Sequence, residues 1–208
     1  MKRLLLSLIA VLALTACTPQ ASTPAEAPAS AVVQQVIMSR RSIRQFHDQP
    51  ISRDTLDQIL RCGINAPSGQ NRQAYEIRVV DDPALLSQIT DAVLADHPGM
   101  TPQQGASNIF VGSRCVIFIA HDTTYDVSQV DCGLLGQNIM LSAWSMGIGS
   151  CCMAFPTRLI SESPSCAPYL AQLGFSQGYR LLYCLAMGYP AESPDAKPRR
   201  DDMIRYVQ

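Results

Sequence analysis

The 208-residue chain has almost no charge imbalance: 16 Lys and Arg face 17 Asp and Glu, a formal charge of −1. A near-neutral chain lacks the basic field that draws proteins onto nucleic acid, so nucleic acid is not expected as the main partner. No apolar run approaches the roughly 20 residues that a spanning helix needs. The eight cysteines include no Cys-x-x-Cys, and the three histidines, His47, His97 and His121, are scattered. Zinc and iron–sulfur spacings are therefore missing and no metal is expected; the histidines read as structural or surface residues. There is no Gly-x-Ser-x-Gly elbow for a serine nucleophile. Asp81-Asp82 and Asp201-Asp202 read as helix-start charges, not as an acid–base pair. Internal repeats are absent.

What is present begins at the N-terminus. Met1-Lys2-Arg3 precedes an uncharged run from Leu4 to Leu14, a basic start and an apolar stretch of 11 residues. That is the pattern of a secretory signal. It ends Leu14-Thr15-Ala16-Cys17, which resembles the bacterial lipobox, so Cys17 is the expected lipidation site after removal of residues 1–16. By resemblance to Gram-negative lipoproteins, Thr18 in place of Asp slightly favours the outer membrane. Cleavage leaves 192 residues and removes Lys2 and Arg3, which takes the formal charge from −1 to −3. Residues 17–30 carry three prolines after the cysteine and no large apolar side chain, and read as a flexible tether. Extended as polyproline at about 3.1 Å per residue, it would reach roughly 40 Å. Membrane attachment through this lipid alone, on the extracytoplasmic side, is the expected location. Lys2-Arg3 is no twin-arginine pair, which favours folding after export. Seven cysteines remain, so complete pairing within one chain is impossible. Cys62, Cys115, Cys132 and Cys184 fall in apolar runs and are expected to be core thiols.

Residues 31–208 read as one domain. The apolar spacing at Val32, Val33, Val36 and Ile37 predicts a helix over 32–40. Ser52 is a plausible N-cap for a second helix that buries Leu56, Ile59 and Leu60, with Gly63 near its end. Tyr75–Val80 alternates as a strand does, and Asp82-Pro83 opens another helix. The loop-rich 96–113 segment is long enough to be functional or mobile. Cys115–Ala120 reads as a central strand. A long helix is expected over Asp131–Met146, stopped by Gly147-Ile148-Gly149. A further strand follows at Leu181–Met187 and a last short helix at Asp201–Val207. Strands and helices mix without strict βαβ alternation, which predicts an α+β fold in three layers.

Four segments stand out in order: Arg40-Arg41-Ser42-Ile43-Arg44; Pro67-Ser68-x-x-Asn71-x-Gln73; Gly147-Ile148-Gly149-Ser150-Cys151-Cys152-Met153; and Gly188-Tyr189-Pro190 followed by Lys197-Pro198-Arg199. Taken singly, each has a plain reading. Arg40-Arg41 suits a solvated helix end, Lys197–Arg200 a soluble tail, and the glycines a helix stop. Together they resemble the flavin-binding segments of the nitroreductase family, over about residues 33–207. The resemblance implies a three-layer fold with a central, mostly antiparallel sheet flanked by helices.

It also implies FMN as cofactor. By match, Arg40, Lys197 and Arg199 would hold its phosphate, with Arg41 and Ser42 nearby, because guanidinium pairs with phosphate bidentately. Arg44 would reach the pyrimidine edge of the ring, where a cation stabilises developing negative charge. Pro67, Ser68 and Asn71 would line the ring and ribityl chain. Cys152, Met153 and Ala154 would set backbone groups against the central ring near N5. No side chain need act as catalyst, because the flavin carries the redox step. The implied activity is two-electron transfer to a nitroaromatic, quinone or similar small acceptor by a homodimer, with NAD(P)H as family donor. The export signal conflicts with that donor and points to a membrane quinol or redox protein instead. The alternative is a flavin electron relay or sensor lipoprotein without turnover.

Overall fold

The computed structural model describes residues 28–208. The expected signal and most of the tether lie outside that range. Six helices and four strands follow in the order α1 (Ala29–Ser39), α2 (Arg53–Ile64), β1 (Tyr75–Val80), α3 (Pro83–Asp96), β2 (Cys115–Asp122), α4 (Ser128–Ser145), β3 (Gly149–Met153), α5 (Phe155–Glu162), α6 (Ala167–Leu173) and β4 (Tyr179–Gly188). Within the described residues, α1 begins at Ala29, directly after Pro28.

The sheet runs β1-β2-β4-β3, and every neighbouring pair is antiparallel. Successive strand residues point to opposite faces, and here both faces are covered. Val116, Phe118, Cys184, Ala186 and Cys151 pack with α3 and α5 side chains in one core. Cys115, Ile117, Ile119, Leu185 and Met187 pack with α2 and α4 in the other. This explains why β2 reads as an unbroken apolar run and is buried from Cys115 to His121. The α+β reading in three layers is what the chain adopts.

Local chemistry sets the element ends. Ser52 Oγ accepts the Thr55 N–H at 3.2 Å and caps α2; Asp82 does the same for α3 through Ala84 at 2.9 Å. Gly147, at φ 75°, stops α4. The α2 and α4 helices approach closely, because a Cβ on Gly63 would sit 2.5 Å from Ile139 Cγ1. Ile139 is wholly buried, so its truncation to Ala should cost about 2–5 kcal/mol.

Three expectations need correction. Residues 149–153 form a strand, not only a helix stop; five residues directly after the Gly147 stop carry too short an apolar pattern to reveal it. The last helix shrinks to one 3₁₀ turn at Asp201–Met203, since nothing buries its apolar side chains within this chain. Cys62 is exposed on α2 and is no core thiol, whereas Cys115, Cys132 and Cys184 are buried.

Candidate active site

The arginine-bearing segment leaves α1 and runs beside the sheet edge. Ile43 donates its N–H to Ser150 O at 3.0 Å, in an isolated parallel bridge of Ser42 to Ser150. Ile43 is fully buried and anchors the segment, while the flanking arginines stay nearer solvent. Arg41 Nη1 donates to the carbonyls of Met38 and Arg40, at 2.7 and 2.9 Å. Arg44 Nη1 donates to Ser42 O at 3.3 Å. Among the described residues, the ion pairs involve Arg53, Arg78, Arg114, Arg158 and Arg200, and none involves Arg40, Arg41 or Arg44. Three cations within five residues and no carboxylate pairing with them make a strong local preference for an anion.

Beside them, β3 is the outer strand of the sheet. Ser42 and Ile43 bridge its free side only at Ser150, so the backbone beyond, from Cys151 to Ala154, faces a cleft of about 400 Å³. Met100, Gln103, Ile109, Val111, Phe155 and Arg44 complete its walls. A mostly apolar slot with one cation at its rim and exposed backbone along one side suits a flat ring with polar edges. Burial pushes the thiols of Cys151 and Cys152 up, opposed at Cys151 by Arg44 and Arg40 and at Cys152 by Arg40. Both stay protonated at neutral pH and neither is primed as a nucleophile.

A larger cleft of about 740 Å³ adjoins the first and shares Arg44, Gln103 and Val111 with it. Its far wall carries the Asp48–Arg114 ion pair. The common wall is strained: Val111 sits at φ 51°, which is rare for a β-branched residue and costs on the order of 1–3 kcal/mol. Buried Asn108 holds it there. Its Oδ1 accepts from Phe110 N at 2.9 Å and Gly112 N at 3.1 Å, and its Nδ2 donates to Ser113 O at 3.0 Å. The 96–113 segment is thus a built wall of the site.

A family model described as "Nitroreductase family" matches residues 37–189. The chain belongs to that family. A nitroreductase with bound FMN from Desulfitobacterium hafniense DCB-2 superposes with a TM-score of 0.76 at 30% identity, covering 85% of this chain and 98% of that one. A protein of Archaeoglobus fulgidus, provisionally assigned as an NADH dehydrogenase/NAD(P)H nitroreductase, is 29% identical over 77% of this chain and 86% of its own length. An NADPH-flavin oxidoreductase of Vibrio harveyi is 25% identical over 79% of this chain and 68% of its own.

Within this nitroreductase chain the expected site residues fall into three groups. Arg40, Arg41, Ser42, Arg44, Cys152, Met153 and Ala154 flank one sheet edge and its cleft. Pro67, Ser68 and Asn71 lie elsewhere, in the turn before Tyr75. Tyr75 registers with His121 and His121 with Arg180, whereas Ser150 registers with Met187. Seven residues along β4 separate the two levels, roughly 23 Å at about 3.3 Å each, and three strand spacings add about 14 Å across. One flavin mononucleotide does not span that distance. Lys197 and Arg199 form the third group, on the exposed tail; Arg199 Nη1 donates to Lys197 O at 3.0 Å.

The turn itself is unusual. Gln70, Asn71 and Gln73 have φ of 55°, 54° and 49°, each costing on the order of 1–3 kcal/mol. Sequence reading missed several site residues: Val111 and Asn108 on the strained wall, Gln103 in both clefts, Glu192, whose carboxylate accepts the Arg44 N–H, and Asp131 behind the turn. None belongs to a motif, and only the closed fold brings them to the site.

Proposed function

We propose that this chain is an FMN-dependent oxidoreductase that passes two electrons to a nitroaromatic, quinone or similar small acceptor, and that a lipid on Cys17 holds it outside the cytoplasm. The observation that carries the reading is the pairing of an arginine cluster, whose guanidiniums form no ion pair with a carboxylate among the described residues, with the sheet-edge strand along one wall of an apolar cleft. The residues fit FMN: the group is anionic at one end, flat and polar-edged at the other. When bound, it would supply the two-electron chemistry at N5.

The chain's own residues bind and orient. Arg40 and Arg41, with Ser42, take the phosphate through charge-assisted bonds. Arg44 places a positive charge at the pyrimidine edge, where reduction builds negative charge. The Cys152–Ala154 backbone supports the central ring. Glu192 lies beside Arg44 and Lys197 follows five residues later, within about 17 Å of extended chain, so Lys197 and Arg199 can join Arg40 on the phosphate.

Pro67, Ser68 and Asn71 reach a flavin only from a second copy, which supports a homodimer with shared sites. Apolar surface for such a partner is present. The α1 helix buries no residue and exposes Val32, Val33, Ile37 and Met38, as the tail exposes Ile204, Tyr206 and Val207. NADPH is named as donor for the Vibrio harveyi relative. Outside the cytoplasm nicotinamides are scarce, and a membrane quinol or redox protein fits as donor there.

The test is a visible spectrum of the purified protein, followed by anaerobic reduction and mixing with a nitroaromatic or a quinone. Flavin bands that bleach and return within the mixing cycle are expected. Colourless protein that takes up no added FMN would overturn the reading. Flavin that no acceptor reoxidises would reduce it to an electron relay. Cys17→Ser should release the protein from the membrane fraction; unchanged membrane association would remove the lipid anchor.

A further inference from the structure

Asp131 lies in the first turn of α4 and is 2% exposed. Its Oδ1 accepts the N–H of Gly69, 62 residues earlier, at 2.9 Å. Its Oδ2 has no protein partner among the described residues, and neither has the buried hydroxyl of Tyr75, which starts the strand after the turn. Burying a carboxylate is costly. The contact that this one makes is with the turn, so apolar packing alone does not account for an acid at this position.

The turn needs holding. Gly69 has no room for a side chain, since a Cβ there would lie 2.2 Å from Tyr125 Oη. Ser68 Oγ accepts the Gln73 N–H at 3.1 Å, and the Arg72 guanidinium lies 4.5 Å from the centroid of the Tyr125 ring. Three of the four residues from Gln70 to Gln73 are left-handed although none is glycine. Backbone strain of this kind persists only where the surroundings over-determine it, and it concentrates at ligand clamps.

We propose that Asp131 is a positioning residue for flavin binding: through the Gly69 N–H it fixes the strained Ser68–Gln73 turn in the one shape that presents Ser68 and Asn71 to the FMN of a second copy. The inference rests on the functional reading above. Asp131 does not touch the flavin and acts through Gly69. A role confined to the dipole of α4, which favours negative charge near its start, would make the charge the important property. A positioning role makes the acceptor oxygen the important property, and asparagine keeps it.

The experiment compares full-length wild type, Asp131→Asn and Asp131→Ala by FMN titration and by hydrogen exchange at the Gly69 amide. Wild type should bind FMN and protect that amide. Asp131→Asn should stay within about threefold of wild type in FMN affinity and keep the protection. Asp131→Ala should lose affinity at least tenfold and exchange the amide at least tenfold faster. Equal losses in both variants, or none in either, would overturn the proposal. If Asp131→Ala yields no folded protein, the exchange data on wild type and Asp131→Asn decide: an unprotected Gly69 amide in wild type sinks it, and protection retained in Asp131→Asn supports it. Wild type that binds no FMN would sink the functional reading instead, while Gly69 protection would still show whether Asp131 holds the turn.

Discussion

Gly149 and Ile43 meet across the sheet edge so tightly that a Cβ on Gly149 would lie 2.8 Å from Ile43 Cγ1. The contact presses the arginine-bearing segment against β3, and the bridge from Ile43 N to Ser150 O lies beside it. Gly149→Ala must push Ile43 and Pro190 outward. Overpacking of this kind costs typically about 1–3 kcal/mol. The expected result is a lower midpoint in denaturant together with weaker FMN binding. Unchanged affinity would show that the segment's placement does not depend on this contact.

The arginines should act through charge. Loss of one charge-assisted contact costs roughly 1.5–3 kcal/mol, or about 10- to 150-fold in affinity. Arg40→Ala should lower FMN affinity by that factor, and its deficit relative to wild type should narrow as rising salt screens the contact in wild type. Arg44→Ala should weaken binding less and shift the flavin reduction potential downward, because the cation at the ring edge is gone. Both are read by titration and redox potentiometry. Wild-type occupancy in Arg40→Ala would contradict the phosphate assignment.

The free thiols should sort by burial. Cys62 and Cys152 are exposed, whereas burial pushes Cys115 and Cys132 up to about 12. A thiol reagent near pH 8 should label exposed Cys62 and, more slowly because its thiol is pushed up, Cys152, and leave Cys115 and Cys132 unmodified in the folded protein. FMN should protect Cys152 and leave Cys62 reactive, since Cys152 lines the cleft and Cys62 lies on α2. Equal protection of both, read by mass spectrometry, would argue against the cleft as the flavin site.

His121 predicts a pH dependence. It is buried, hydrogen-bonded through Nδ1 to Ser128 Oγ at 3.0 Å, and burial, aided by Arg180, lowers its pKa from 6.5. The unfolded chain therefore binds the proton more readily than the folded one. Stability from this group is fully present above pH 6.5 and is lost as the pH falls from there through the folded pKa. Denaturant midpoints should fall across that window, and His121→Gln should flatten the slope. An equal slope in the variant would assign the effect to another group.

The exposed faces of α1 and the tail show why part of the site was legible in the chain and part was not. Periodicity revealed α2, α3, β2 and β4, because each buries a face or a whole strand and so repeats its apolar residues. It failed at β3, whose free side is met by a crossing segment, and at the tail, whose apolar side chains are exposed. The motifs pointed to the family, and with it to the arginines and to the Pro67–Asn71 turn.

The chain's own letters determined the anion-seeking arginine cluster, the glycines that permit close approach and the two-sided core, because these follow from charge, side-chain size and apolar spacing. Only the tertiary structure decided that Pro67, Ser68 and Asn71 sit at the far end of the sheet from Arg40, that Asn108 holds Val111 in strain, and that Asp131 reaches back to Gly69. Those relationships join residues tens of positions apart, and their geometry exists only after the strands have set their register.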